Sequence, residues 1–121
     1  MAPQSEYSAG HRGIDLRASP GLTVTAPAAG TVHFVGTVVD RPVLTLRHPG
    51  GLLSSYEPLD SGLAEGAVVA RGEAIGTVGR GGHCDGSCLH LGVRLDGSYV
   101  SPLAYLGGIP RAVLLPRWRS P

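Results

Sequence analysis

In several short stretches of this chain apolar residues alternate with small or polar ones, which is the period of a strand and not of a helix. Thr31-Val32-His33-Phe34-Val35 shows the alternation inside a longer predicted strand, Thr31 to Val39, and Cys88 to Leu95 shows it again. Turn residues set the boundaries. Leu22 to Ala26 runs into a Pro27–Gly30 turn, and Pro42 to His48 and Leu52 to Tyr56 flank His-Pro-Gly-Gly, which predicts a hairpin. Ala67 to Ala70 and Ala74 to Val78 are short strands separated by Arg-Gly-Glu, and Asp96-Gly97 turns tightly into Tyr99 and Val100. Helical periodicity is lacking except for a turn around Pro102 to Leu106. The tail from Ile109 to Pro121, with three prolines and three arginines, reads as an extended segment. The expected fold is all-β: a small antiparallel sandwich or barrel whose sheet is buried on one face.

Composition agrees. A chain of 121 residues with 19 glycines and 10 prolines suits one turn-rich domain with a single core. The net charge of +1 provides neither a nucleic-acid footprint nor a polybasic membrane patch. No apolar run reaches the roughly 20 residues that span a bilayer. Met1 to Gly10 lacks the apolar core of a signal peptide, as expected of a mature fragment or a trimmed piece. There is no lysine, which excludes Schiff-base chemistry and a P-loop. It also excludes a swinging-arm carrier, although Glu65 to Val78 resembles the turn-strand-turn-strand phrase of lipoyl and biotinyl carriers, which need a lysine at a hairpin tip.

The candidate chemistry is split between two ends of the chain. His-Arg-Gly-Ile-Asp runs from His11 to Asp15, and Cys-Leu-His runs from Cys88 to His90. Two histidines and a carboxylate are a hydrolytic zinc set, because three protein ligands leave a fourth position for water. Both spacings are even, so on strands each segment aims its side chains to one face. Singly, each motif is weak: His90 in an alternating strand is an ordinary core or surface histidine, and His-x-x-x-Asp arises by chance. Gly10, Gly13 and Gly92 beside them permit close backbone approach and raise the specificity of the pair. His48 reads as a turn residue at a strand end, His33 as a structural or exposed strand residue, and Tyr56 as a packing residue or a cleft hydroxyl. His83 lies in the glycine-rich loop leading to Cys88, within reach of the site. Cys84 and Cys88 fit either a reduced cytosolic pair or an exported short-loop disulfide.

The order of motifs carries a resemblance. Gly10-His-Arg-Gly-Ile-Asp-Leu16, Val24-Thr-Ala-Pro-Ala-Ala-Gly-Thr-Val32, Leu46-Arg-His-Pro-Gly-Gly-Leu52 and Tyr56-Glu-Pro-Leu59 come first. Val69-Ala-Arg-Gly-Glu-Ala-Ile-Gly76, Leu89-His-Leu-Gly-Val-Arg94 and Val100-Ser-Pro-Leu103 follow. Together they resemble the M23 zinc metallopeptidases of the LytM/lysostaphin type, from about His11 to Leu106. The resemblance divides the chain into an N-terminal extension (1–10), a peptidase domain (11–106) and an extended C-terminal segment (107–121). It implies a small antiparallel sheet with a groove over one zinc ion, and cleavage of peptidoglycan peptides outside the cytoplasmic membrane by a monomer.

Residue by residue, the resemblance places the family's zinc ligands on His11, Asp15 and His90. It places the family's two auxiliary histidines, which handle the water and the oxyanion, on Cys88 and Pro58. The glutamate that often follows the family's His-x-His motif is Gly92 here. Proline has no donor at all, so it can do neither job. General acid–base help supplies roughly 100- to 10,000-fold and an oxyanion donor about 100- to 1,000-fold. The expectation is therefore a zinc-binding domain with weak or absent hydrolysis, any residual activity depending on His83 or Tyr56. The alternative is a non-catalytic LytM-like module that binds peptidoglycan or activates another wall hydrolase. A structural zinc site closed by the Cys88 thiolate is a third reading. The exported setting that the resemblance implies favours the Cys84–Cys88 disulfide.

Overall fold

The computed structural model describes residues 13–101, apart from the side chain of His83. The expectations for 1–10, His11, the turn around Pro102 to Leu106 and the 107–121 tail lie outside the described residues.

Among the described residues ten strands follow one another: β1 (Ile14–Arg17), β2 (Thr23–Thr25), β3 (Gly30–Val38), β4 (Arg41–Arg47), β5 (Leu52–Glu57), β6 (Leu59–Asp60), β7 (Val68–Val69), β8 (Ala74–Val78), β9 (Cys88–Leu95) and β10 (Ser98–Val100). The fold is all-β and antiparallel, as expected. The larger sheet has the order β1-β9-β5-β4-β3-β7, with β10 following β1 along the outer edge of β9. A smaller sheet, β2-β8-β6, covers its inner face. The two-residue β6 is an addition to the sequence reading; it is too short to show a period.

Alternation sorts β1 and most of β9, whereas β4 buries four consecutive residues, Val43 to Leu46. On β9, Leu89, Leu91 and Val93 are buried while Cys88, His90 and Arg94 are only half-buried. On β1, Ile14 and Leu16 point inward, and Asp15 and Arg17 do not. The inward set meets Val24, Leu59, Ile75 and Val78 of the small sheet in one core. Each fully buried aliphatic side chain there contributes about 1.5–3 kcal/mol relative to exposure.

Two turns show local chemistry at work. Pro49–Gly51 makes a short 3-10 turn between β4 and β5, with Gly50 and Gly51 both at φ +84°. Asp96 and Gly97 take φ of +53° and +83°, the two left-handed positions that a tight hairpin between β9 and β10 requires. A bulge between Val32 and Phe34 on β3 leaves His33 exposed on the groove side.

Candidate metal centre and groove

Strand pairing brings the two halves of the metal motif together. Asp15 on β1 is the register partner of His90 on β9, and Asp15 Oδ1 lies 2.7 Å from His90 Nδ1. Both side chains sit on the face opposite the core, because each is one residue out of phase with buried neighbours. The close approach of the strands depends on Gly13, at φ +141°: a Cβ there would collide with the backbone of Leu91. No L side chain fits that position, so a glycine two residues before Asp15 is needed to seat the ligand.

His90 also lines an open groove of about 600 Å³ across the outer face of the larger sheet. Phe34, Val38, Val43 and Tyr99 supply its apolar surface, and Arg41, Glu57 and Arg94 supply charge. Glu57 is the cross-strand partner of His90 on β5, and its Oε1 accepts a hydrogen bond from Arg41 Nε at 2.7 Å. Arg41 also donates to Asp40 at 3.1 Å. These two carboxylates, Glu57 foremost, hold the Arg41 guanidinium above its ordinary pKa. Sequence reading passed over this pair. The signal for Glu57 was its phase, since a strand residue beside an inward Tyr56 must face outward.

Pro58 and Cys88, where the resemblance leads one to expect auxiliary histidines, carry no acid–base group. Pro58 is buried beside Glu57 at the end of β5. Cys88 is joined to Cys84 in a disulfide, with Cα atoms 4.7 Å apart, so the disulfide reading holds. A disulfide sulfur carries neither a proton nor a thiolate, so the closed zinc site through Cys88 does not exist in this redox state. His83 lies in the 3-10 turn Gly82–Cys84 of the same loop.

Tyr56 corrects the reading of a cleft hydroxyl. It is fully buried on the core face of β5, and its OH bonds to Ser54 Oγ at 2.7 Å. Burial pushes its phenol well above the usual range, the bond to Ser54 opposing this. His48 is likewise more than a turn residue: it is buried, its Nε2 lies 2.7 Å from Ser54 Oγ, and its Nδ1 lies 2.8 Å from the carbonyl of Ala29. Ala29, His48, Ser54 and Tyr56 thus form one polar chain through the interior, satisfying groups that burial would otherwise penalise.

The donor chemistry at Asp15 and His90 suits zinc. A carboxylate oxygen and an imidazole nitrogen face each other at 2.7 Å, and two such atoms on a tetrahedral zinc stand about 3.3 Å apart. A shift of a few tenths of an ångström accommodates the ion. His11, the third member of the expected set, lies outside the described residues.

A curled antiparallel sheet carrying an Asp–His pair beside an open groove is the architecture that the comparisons with known proteins match. The chain belongs to peptidase family M23, whose model matches residues 9–102. It is 38% identical over 115 residues to the uncharacterized protein Rv2891 of Mycobacterium tuberculosis, covering 90% of this chain and 46% of that one. It is 33% identical over 100 residues to the murein hydrolase activator NlpD of Escherichia coli, covering 80% of this chain and 26% of NlpD. It therefore spans less than half the length of these relatives. Among solved structures, a mutant of the catalytic domain of the prophage-encoded M23 protein EnpA from Enterococcus faecalis matches with a TM-score of 0.71 at 26% identity, covering 82% of this chain and 81% of that one. A zinc-containing peptidase from Vibrio cholerae matches with a TM-score of 0.66 at 27% identity, covering 73% of this chain and 28% of that one.

Proposed function

We propose that this domain binds one zinc ion through His11, Asp15 and His90 and acts on peptidoglycan peptides outside the cytoplasmic membrane, as a metallopeptidase with a depleted catalytic shell. The observation that carries the reading is the meeting of Asp15 and His90 at 2.7 Å beside the groove. The Cys84–Cys88 disulfide supports an oxidising setting, and among the described residues no helix is long and apolar enough to cross a membrane. Zinc, when bound, supplies an acidified water and polarises a carbonyl.

The chain's own residues do the rest. The groove, with apolar patches between Arg41, Glu57 and Arg94, takes an extended peptide along the sheet. Proton handling is the weak point. Pro58 has no donor and Cys88 is oxidised, so hydrolysis is slow and falls to His83 or to a groove side chain.

A second reading is a non-catalytic module that binds peptidoglycan or activates another wall hydrolase. The loss of both auxiliary groups favours it, as does the likeness to NlpD, named a murein hydrolase activator. Metal analysis of the oxidised protein followed by digestion of purified peptidoglycan separates the two. One zinc with slow, chelator-sensitive release of peptides supports the peptidase. One zinc with no release, but with stimulation of an added wall hydrolase, supports the activator. An oxidised protein that binds no zinc overturns the metal assignment and the peptidase reading with it.

A further inference from the structure

The disulfide stands beside the metal ligands, and that placement has chemical content. Cys84 Sγ lies 3.8 Å from Asp15 Oδ1, and one ligand atom from each of Asp15, Cys84 and Cys88 falls within 4.8 Å of the others. His90 Nδ1 is 2.7 Å from Asp15 Oδ1 but stands outside that three-residue group, so joining it requires the freed sulfurs to move toward the imidazole. Sulfur and oxygen ligands of a tetrahedral zinc stand about 3.5 Å apart, close to the spacing already present. The two cysteines are separated by three residues, within the two-to-four spacing of paired zinc thiolates.

We propose that reduction of the Cys84–Cys88 bond turns this corner into a second kind of metal site, in which both thiolates join Asp15 and His90 to hold a soft divalent ion with no position left for water. The proposal shares Asp15 and His90 with the reading above but does not use His11. Oxidised, the site keeps an open position; reduced, it is closed by sulfur. The disulfide is thus a redox gate on the metal.

The loop tolerates the change. Its shape is held by bonds that do not involve sulfur: Gly81 N–H to Asp85 Oδ1 at 2.9 Å, Ser87 N–H to the Cys84 carbonyl at 2.9 Å and Ala18 N–H to the Ser87 carbonyl at 3.2 Å. Gly81, Gly82 and Gly86 sit at positive φ around it, and Gly81 is packed against the Asp40 carbonyl, so the loop backbone is held in place while the sulfurs separate by side-chain rotation. Cys84 is 2% exposed and Cys88 is half-buried, so a reductant reaches Cys88 first. A dithiol donates the two electrons. Its first thiolate attacks Cys88 Sγ and expels the Cys84 thiolate. Its second thiolate displaces Cys88 from the mixed disulfide and leaves as the cyclic disulfide. The two thiolates then bind the ion.

Cobalt(II) titration of the whole chain, oxidised and after reduction with a phosphine under nitrogen, tests this. The reduced protein is expected to bind cobalt about tenfold or more tightly than the oxidised one, with a sulfur-to-cobalt charge-transfer band in the near ultraviolet. His11→Ala should retain that band in the reduced state, Cys88→Ser or Cys84→Ser should lose about half of its intensity, and the double variant should lose all of it. A reduced wild-type protein without the band, whether folded or not, overturns the proposal. So does a band that survives both cysteine substitutions. The zinc reading above is scored separately, on the oxidised protein, where His11→Ala should release the metal.

Discussion

Glu57 stands directly across the β5–β9 ladder from His90, and its carboxylate is held at 2.7 Å by Arg41 from β4. The residue one step further on is Pro58, where the family resemblance expects a histidine. Three adjacent strands therefore set a metal-type ligand, an anion and a cation side by side on the groove face. The neighbouring position, which should handle protons, is filled by a ring with no donor. Under the proposed function, a groove built this way retains recognition better than chemistry, so peptide binding and peptide cleavage call for separate tests.

Arg41 is the element of that row that a peptide carboxylate would meet. Arg41→Ala should weaken binding of soluble peptidoglycan fragments several-fold while leaving the zinc content unchanged. Fluorescence titration at low and high salt checks this. Affinity that is the same in the variant and insensitive to salt would mean that peptides do not use the groove.

Gly13 controls the ligand pair from the backbone. In Gly13→Ala the new Cβ meets the Leu91 backbone at φ +141°, so β1 must move away from β9 and carry Asp15 with it. The expected cost is about 2 kcal/mol or more, accompanied by weaker zinc binding. Urea unfolding and metal analysis of the same sample read both effects. Unchanged stability with full zinc would contradict the close packing of these strands.

Ser54 bridges His48 and Tyr56 in the interior. Ser54→Ala leaves two buried polar groups each short of a partner, a loss of about 2–4 kcal/mol. The midpoint of chemical denaturation is the measurement. A change under half a kcal/mol would show that the chain of bonds contributes little.

Tyr56 makes stability fall in alkali. Its folded-state pKa lies above the unfolded value of about 10. Below pH 10 both states hold the proton and the contribution is complete. As pH rises past 10 the unfolded chain releases its proton while the folded protein keeps it, so unfolding becomes easier, by up to about 1.4 kcal/mol per pH unit from this group. Tyr56→Phe should flatten the stability profile above pH 10 relative to wild type.

Val39 is the strained residue of the β3–β4 hairpin. It holds φ +57° with its side chain 88% exposed, a conformation that a β-branched residue adopts at a cost. Val39→Asn should stabilise the protein by about 0.5–1 kcal/mol, since asparagine accepts the left-handed region and no packing is lost. A lower thermal midpoint in the variant would place the strain elsewhere.

The strands were legible because alternation is a local property. Val32, Leu44, Leu46, Leu89 and Leu91 announce a one-sided sheet, and Asp96-Gly97 and Pro49-Gly50-Gly51 announce their turns by chemistry alone. The even spacing put Cys88 and His90 on one face of their strand, as the structure has them, and the ordered phrases identified the family. Beyond the hairpin at His48–Gly51, what the sequence could not settle was the partner of each strand. Only tertiary pairing set Asp15 against His90 across 75 residues, put Glu57 beside them, and drew Arg41 in from a third strand. The same limit hid the burial of His48, whose Pro-Gly-Gly neighbours read as an exposed turn; its two bonds run to Ala29 and Ser54, which local pattern does not connect. Tyr56 was ambiguous for a simpler reason, since a strand-end tyrosine reads equally as packing or as a cleft hydroxyl until the phase of β5 is fixed by its neighbours. Period two tells which residues share a face, but the identity of what lies across that face is decided by long-range hydrogen-bond register, and register exists only once the chain has folded.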